Sequence, residues 1–209
     1  MSDVVLYDFW RSSASYRVRI ALNLKGVAFT RVPVDLVAGE QVAAQFAALN
    51  PQKLVPALAI DGLLLTQSLA IIDYLDAKFN HPPMVSSDPA SRSRTLAQAL
   101  IIAADIHPLD NLRVLNYLRS ELGQNDDAVA TWYRHWITLG LTALEAQAPD
   151  EGLFGGDLPN LADVCLVPQM ANARRFDTPL DAYPRLLRID AALQALPAFA
   201  AAAPDAVKS

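Results

Sequence analysis

The chain has 209 residues, a formal net charge of -5 at pH 7 and a single cysteine, Cys165. No apolar run approaches the roughly 20 residues that cross a membrane, and a negative charge without a Lys/Arg stripe argues against nucleic acid as a partner. One cysteine excludes an internal disulfide, and the N-terminus shows no signal-peptide pattern, so we expect a soluble cytoplasmic protein.

The first 82 residues alternate between strand and helix patterns, which predicts a small α/β domain over 1–82. Asp61-Gly62 between two β-prone runs is a strong hairpin signal, and Gln67-Ser68 then opens a helix with Ile72, Leu75 and Phe79 on one stripe. The predicted elements are, in order, a strand at 3–7, a helix at 13–25, an extended segment at 29–36, a helix at 39–49, strands at 54–60 and 63–66, and the helix after Ser68.

The composition changes at Asn80-His81-Pro82-Pro83, and only helical patterning follows, which predicts an all-helical domain over 88–209. We predict helices at 88–121, 126–147, 160–176 and 185–195. Asn160 and Asp163 form a near capping box, which we interpret as a structural cap of the third of these helices.

A serine cluster follows the first strand and opens the first helix. Backbone N–H groups at a helix start are unpaired and carry the positive end of the helix dipole, so they favour a negative ligand atom. The cluster at Ser12, Ser13 and Ser15 therefore indicates a site for an anion or a thiolate. The alternative, that these serines are only N-caps, stays open on this motif alone.

The order of elements, with Val55-Pro56 leading into a strand and Gln67-Ser68 opening a helix, resembles the thioredoxin-like domain of the glutathione transferases. The helical second half resembles their C-terminal domain, so the resemblance spans essentially the whole chain. Four ordered segments are similar to the zeta class in particular; they are Ser12–Leu22, Ala48–Pro56, Gln67–Ile72 and Leu166–Ala173. The resemblance implies a thioredoxin-like domain followed by an all-α domain, and a homodimer.

The same resemblance implies glutathione as the cofactor and assigns residues to it. The Val55-Pro56 bond is expected to be cis, so that the backbone of Val55 pairs with the tripeptide, and the alternative is an ordinary trans proline. Gln67 and Ser68 are expected to receive the γ-glutamyl carboxylate at a helix N-terminus, unless Ser68 is a plain cap. Gln52 is a weaker candidate for the same ligand, and a solvated loop amide is its alternative.

In this class the serines face the glutathione sulfur, which implies that Ser12 and Ser13 favour its thiolate form by hydroxyl donation and the helix dipole. The class commonly has cysteine at the third position of the motif, where this chain has Ala14. That departure removes a protein thiol and leaves the chemistry to glutathione.

The implied reaction is cis–trans isomerisation of a maleyl group by thiolate addition, bond rotation and elimination. The carboxylates and the developing enolate call for arginines, and the candidates are Arg11, Arg113 and Arg175, each of which could instead be a surface or ion-paired residue. Arg17 and Arg19 point to different helix faces, and we assign both to structural pairing.

His107 and Asn111 are four residues apart, which predicts a shared helix face that could touch glutathione or substrate. Satisfied interfacial polar groups are the alternative. No His/Cys/Asp/Glu cluster has metal-ligand spacing, so we expect no metal site.

The resemblance thus implies isomerisation of maleylacetoacetate to fumarylacetoacetate, with maleylpyruvate as the rival substrate. Conjugation or dehalogenation of small α-halo acids is a broader enzyme reading. A non-catalytic module that binds protein partners is the alternative of a different kind.

Overall fold

The computed structural model describes residues 4–208. It divides into two compact units. The first contains the chain up to Pro83 together with the chain from Ala195 onward, and the second is Met84–Gln194. The predicted ranges 1–82 and 88–209 differ from these units at the C-terminus, where residues 195–208 group with the first unit.

The first unit is built on a four-stranded mixed sheet. Its strands are β1 (Val5–Asp8), β2 (Thr30–Pro33), β3 (Ala57–Ile60) and β4 (Leu63–Thr66), in the order β2-β1-β3-β4. β1 is parallel to β2 and antiparallel to β3, which forms a hairpin with β4. The predicted first strand is confirmed from Val5; its residue 3 lies outside the described residues. Asp61 and Gly62 have φ values of 53° and 77°, as a tight hairpin turn requires.

Three helices accompany this sheet: α1 (Ser13–Leu24), α2 (Ala44–Leu49) and α3 (Ser68–Lys78). Ile72 and Leu75 are buried, as the stripe predicted, whereas Phe79 is half-buried at the C-cap of α3. The helix predicted at 39–49 is wrong in its first half, where a single 3-10 turn, Glu40–Val42, precedes α2. Ala43 has extended φ and ψ values of -62° and 146°, and this residue interrupts the helix.

Two short helices missed by the sequence patterns, α10 (Pro197–Ala200) and α11 (Pro204–Val207), complete the first unit. Carbonyl groups of these helices and of the residues between them accept hydrogen bonds from side chains of α1 and β2. The donor–acceptor pairs are Tyr16 to Phe199, Arg19 to Ala202, Asn23 to Ala198 and Arg31 to Val207. These long-range bonds explain why the C-terminal residues belong to this unit rather than to the helical one.

The second unit is helical. Its helices are α4 (Pro89–Leu100), α5 (His107–Leu109), α6 (Leu112–Ser120), α7 (Asp126–Glu145), α8 (Leu161–Arg175) and α9 (Pro184–Gln194). The predicted capping box is confirmed: Asn160 Oδ1 accepts from the amide of Asp163, and Asp163 Oδ2 accepts from the amide of Asn160. Burial raises the pKa of Asp163 to about 6, although three backbone amides donate to its carboxylate.

The single long helix predicted at 88–121 is wrong. A π-helical segment, Ile101–Ile106, follows α4, and the chain leaves the helix between α5 and α6. Pro108 has no amide proton to donate to the carbonyl four residues earlier, so an ordinary α-helix cannot continue unchanged there. Among residues 4–208, no helix is long and apolar enough to cross a membrane.

Candidate active site

The turn between β1 and α1 places Ser12 at the N-cap of α1. The Ser12 amide donates to the Phe9 carbonyl at 2.9 Å, which closes the turn. The Ser12 Oγ accepts from the amide of Ser15 at 3.2 Å, so Ser12 is an N-cap of α1. A hydroxyl still has one hydrogen to donate while its oxygen accepts. Capping and donation to a thiolate are therefore compatible in this geometry.

The side chains around this turn separate by exposure. Ser12 is half-buried, Ser13 is buried as the first residue of α1, and Arg11 is exposed. The Arg11 guanidinium lies 5.7 Å from the Phe9 ring centroid and 5.5 Å from that of Trp10. These cation–π contacts hold a positive charge beside the serine turn.

Val55 lies against the same turn. It is buried in an apolar cluster with Phe9, Val34 and Phe46, to which Trp10 adds. The Val55-Pro56 peptide bond is cis, as expected. Within residues 4–208 neither the amide nor the carbonyl of Val55 forms a backbone hydrogen bond outside the regular elements. A buried residue with unused backbone groups fits an extended peptide ligand.

The N-terminus of α3 brings together three of the predicted glutathione contacts. Gln67, at the N-cap with a φ of 66°, donates from Nε2 to Oε1 of Gln52 at 2.8 Å, although 15 residues separate them. Ser68 is the first helical residue and buried. Its Oγ accepts from Nη1 of Arg17 at 3.4 Å.

The sequence assigned Arg17 to structural pairing, and its guanidinium contacts Ser68 at the start of α3. This guanidinium is 1% exposed and contributes a fixed positive charge beside the first residue of α3. A cation and a helix N-terminus both favour a carboxylate there. In the sequence, the two-residue spacing of Arg17 and Arg19 indicates that they lie on different faces of α1.

The predicted shared face of His107 and Asn111 is wrong. His107 belongs to α5, whereas Asn111 has extended φ and ψ values of -65° and 142° and caps the separate helix α6. The Asn111 Oδ1 accepts from the amide of Arg113 at 3.1 Å. The amide oxygen of Asn111 is therefore used by the helix cap, and Arg113 is the second residue of α6.

Arg175 is the last residue of α8 and is exposed. Its Nη2 donates to the Tyr133 hydroxyl at 3.3 Å, and its guanidinium lies 5.0 Å from the Phe176 ring centroid. Tyr133 and Phe176 stack with centroids 3.5 Å apart. Burial raises the pKa of Tyr133 to about 12, so the hydroxyl stays protonated beside the arginine.

Asp110 is a buried carboxyl that sequence reasoning did not single out. It is 8% exposed, and neither carboxyl oxygen has a hydrogen-bond partner among residues 4–208. Burial raises its pKa to about 8. Asp110 also influences Tyr133 electrostatically. No motif in the sequence marks this carboxyl.

Comparison with known proteins places these features in a family. The family model of the glutathione S-transferase N-terminal domain matches residues 2–77. A maleylacetoacetate isomerase of Pseudomonas aeruginosa is 48% identical and is aligned over 95% of both chains. A solved structure that is 44% identical over 98% of this chain is that of a bacterial glutathione transferase of the zeta class. The chain belongs to the zeta class of glutathione transferases.

Solved structures of zeta-class relatives agree with the whole fold. A bacterial maleylpyruvate isomerase of the zeta class, in its holo form, has a TM-score of 0.96 and 44% identity over 98% of this chain and 99% of the other. A maleylacetoacetate isomerase of Methylobacterium extorquens with bound malonate and glutathione has a TM-score of 0.93 and 39% identity over 97% of both chains. The predicted thioredoxin-like and all-helical architecture is thus confirmed.

Asp110 predicts a pH dependence of stability in this zeta-class chain. The folded state keeps the proton up to about pH 8, whereas the unfolded state loses it near the ordinary value of 3.8. Between these values the folded state binds more protons, so the free energy of unfolding falls as pH rises. Asp110→Asn removes this contribution, which amounts to at most about 1.4 kcal/mol per pH unit.

Thermal melts between pH 5 and pH 8 are expected to show a shallower decline of Tm for Asp110→Asn than for the unsubstituted chain. Asp126→Asn, which replaces an exposed aspartate, is the matched control. Parallel Tm curves for all three proteins would show that Asp110 does not titrate in this range.

Proposed function

We propose that this chain catalyses the glutathione-dependent cis–trans isomerisation of maleylacetoacetate to fumarylacetoacetate. The observation that carries the proposal is the set of donors in the first unit: the Ser12 hydroxyl at the α1 N-cap and the buried cation at the α3 N-terminus. The glutathione bound in a zeta-class relative supports the cofactor, and the maleylacetoacetate isomerase 48% identical to this chain supports the substrate.

The residues of the first unit fit glutathione at three chemically different positions. The unused amide and carbonyl of Val55 suit the cysteinyl backbone of the tripeptide. The N-terminus of α3, with Ser68, Gln67 and the Arg17 guanidinium, suits the γ-glutamyl carboxylate. The Ser12 hydroxyl is the donor for the sulfur.

When bound, glutathione supplies a thiolate nucleophile for a double bond conjugated to a carbonyl. The chain's part is to stabilise that anionic sulfur: the Ser12 O–H donates to it, and the amide groups at the start of α1 add their dipole. Ser13 contributes one of these amides as the first helical residue. Because residue 14 is alanine, no protein thiol takes part at this position.

Arginine side chains are proposed to hold the substrate carboxylates. Arg11 beside the serine turn, Arg113 in α6 and Arg175 at the end of α8 are the candidates. Arg175 is supported most directly, because Tyr133 and Phe176 fix an exposed guanidinium by a hydrogen bond and a cation–π contact. His107 remains a proposed glutathione contact; Asn111 is proposed for the same role with its side-chain N–H groups.

Maleylpyruvate isomerisation is the second candidate, because the structure with a TM-score of 0.96 is a maleylpyruvate isomerase. We also propose a homodimer, which rests on membership of the class alone. A cytoplasmic location is supported by the cysteine count, because a chain with one cysteine cannot form an internal disulfide.

The assay that tests the function adds purified protein and glutathione to each maleyl substrate and follows its ultraviolet absorbance. We expect glutathione-dependent loss of the cis isomer, faster for maleylacetoacetate. Faster turnover of maleylpyruvate would favour the second candidate. No glutathione-dependent change with either substrate would exclude an isomerase of this kind.

Replacing Ser12 separates its capping role from its donor role. Ser12→Ala is expected to lower kcat by about 10²-fold, because one preorganised donor to the developing charge is lost. Glutathione affinity, measured by calorimetry, should change far less. Ser12→Thr keeps both the cap and the hydroxyl and should retain most of the activity. An unchanged kcat for Ser12→Ala would show that the hydroxyl is only a cap.

Arg175→Gln is expected to raise the KM for the maleyl substrate about tenfold, because a charge-assisted contact with a carboxylate is lost. The KM for glutathione should stay the same. Arg185→Gln is the control, because Arg185 is also an arginine of the second unit with an exposed side chain but pairs with the exposed Asp150. Equal substrate KM values for the two variants would remove Arg175 from the carboxylate site.

A further inference from the structure

Arg19 is a fully buried guanidinium whose donors reach three different parts of the first unit. Its Nη1 donates to the Asp8 carboxylate at 2.7 Å. Its Nη2 donates to the Trp10 carbonyl at 3.0 Å, and its Nε donates to the Ala202 carbonyl at 2.9 Å. Arg19 is therefore a link between the end of β1, the serine turn and the C-terminal segment.

The Asp8 carboxylate, also fully buried, is shared with a second arginine. Arg31 Nη2 lies 3.1 Å from Asp8 Oδ1, and its Nη1 donates to the Val207 carbonyl at 2.6 Å. Burial lowers the pKa of Arg19, and the Asp8 carboxylate opposes that change. Both arginines thus hold a carbonyl of the C-terminal segment while they pair with one carboxylate at the end of β1.

The Trp10 carbonyl lies in the turn that ends at Ser12. Only Arg11 separates Trp10 from the proposed sulfur donor. The indole ring is also held, because Lys208 Nζ lies 4.8 Å from its centroid. Arg19 thus holds the carbonyl of Trp10, and Lys208 of the C-terminal segment contacts its ring. These two contacts fix the backbone just before Ser12.

A buried ion pair is weak support for stability, because desolvation offsets much of its attraction. Its value lies in orientation: the guanidinium fork directs its donors to fixed places. Apolar residues of similar volume could fill the same space, but they could not hold the Trp10 and Ala202 carbonyls together. This difference separates a positioning role from simple packing.

We propose that Arg19 is a positioning residue for the serine turn: by joining the Trp10 carbonyl to the Ala202 carbonyl and to Asp8, it holds the Ser12 hydroxyl where the glutathione sulfur binds. The inference rests on the proposed function, since it takes Ser12 as the sulfur donor. It also gives the C-terminal segment, distant in sequence from the turn, a part in the activity.

Arg19→Lys is the informative substitution. Lysine keeps the positive charge for Asp8 but cannot extend a planar fork to two carbonyls as well. We expect kcat to fall about tenfold, because a small displacement of a catalytic group is costly. Glutathione affinity should change less than about twofold, since the Val55 and α3 contacts remain. The pH profile of kcat should move to higher pH as the thiolate loses its donor.

A double-mutant cycle with Ser12→Ala tests whether Arg19 acts through Ser12. In the Ser12→Ala background, Arg19→Lys should lower kcat by less than about twofold, because the hydroxyl that it positions is already gone. Asn23→Ala is the matched control: the Asn23 side chain also donates to a C-terminal carbonyl, that of Ala198, and among residues 4–208 it makes no hydrogen bond to residues 9–12. It should leave kcat unchanged.

Equal losses from Arg19→Lys in both backgrounds, or no loss in either, would overturn the inference. An equal fall in kcat for Asn23→Ala would assign the effect to loosening of the C-terminal segment and would overturn it too. Failure of the proposed function is distinguishable, because the unsubstituted protein would then turn over neither maleyl substrate. The absorbance of the bound thiolate, titrated against pH in the same variants, reports on Arg19 in that case.

Discussion

The buried carboxylate of Asp8 is the point at which three elements of the first unit meet. A buried carboxylate without partners would be neutralised or would destabilise the fold. Here it ends the central strand β1 with no exposed surface and is paired with Arg19 of α1 and Arg31 of β2. Strand, helix and neighbouring strand are therefore fixed relative to each other at the point where the chain turns towards Ser12.

The two arginines have more donors than one carboxylate can accept, and the excess determines where the C-terminus goes. Besides the Trp10 carbonyl, which accepts from Arg19, the carbonyl groups of Ala202 and Val207 each accept from one of these donors. These carbonyls lie near the ends of short helices, where backbone acceptors lack intrahelical partners. The arginine N–H groups thus find acceptors, and the C-terminal carbonyls find donors. These hydrogen bonds explain why the chain from Ala195 onward groups with the sheet unit.

The sequence was sufficient where the signal was local. Asp61-Gly62 specified the hairpin, Asn160 and Asp163 specified their capping box, and Ser12 specified the start of α1. Each of these depends on residues within a few positions of one another, so intrinsic conformational preference decides the outcome.

Non-local contacts explain what the sequence could not specify. The Gln52–Gln67 hydrogen bond and the Arg17–Ser68 contact join residues that are brought together only by the fold. The break at Asp110 and Asn111 depends on a proline and an asparagine cap overriding a favourable helical pattern. The role of an arginine likewise depends on which groups its guanidinium contacts in the fold. A pattern of apolar residues does not reveal those groups.

Arg17 and Arg19 illustrate this point on a single helix. Their spacing correctly predicted different faces, and both are buried, yet only Arg19 pairs with the carboxylate of Asp8. Arg17 lies against Ser68 at the start of α3, where the proposed ligand brings a carboxylate. A chain with a net charge of -5 can bind an anionic tripeptide because its cations are held at such positions. With alanine at residue 14, the chain contributes charge and orientation to the proposed reaction, and the nucleophile comes from glutathione.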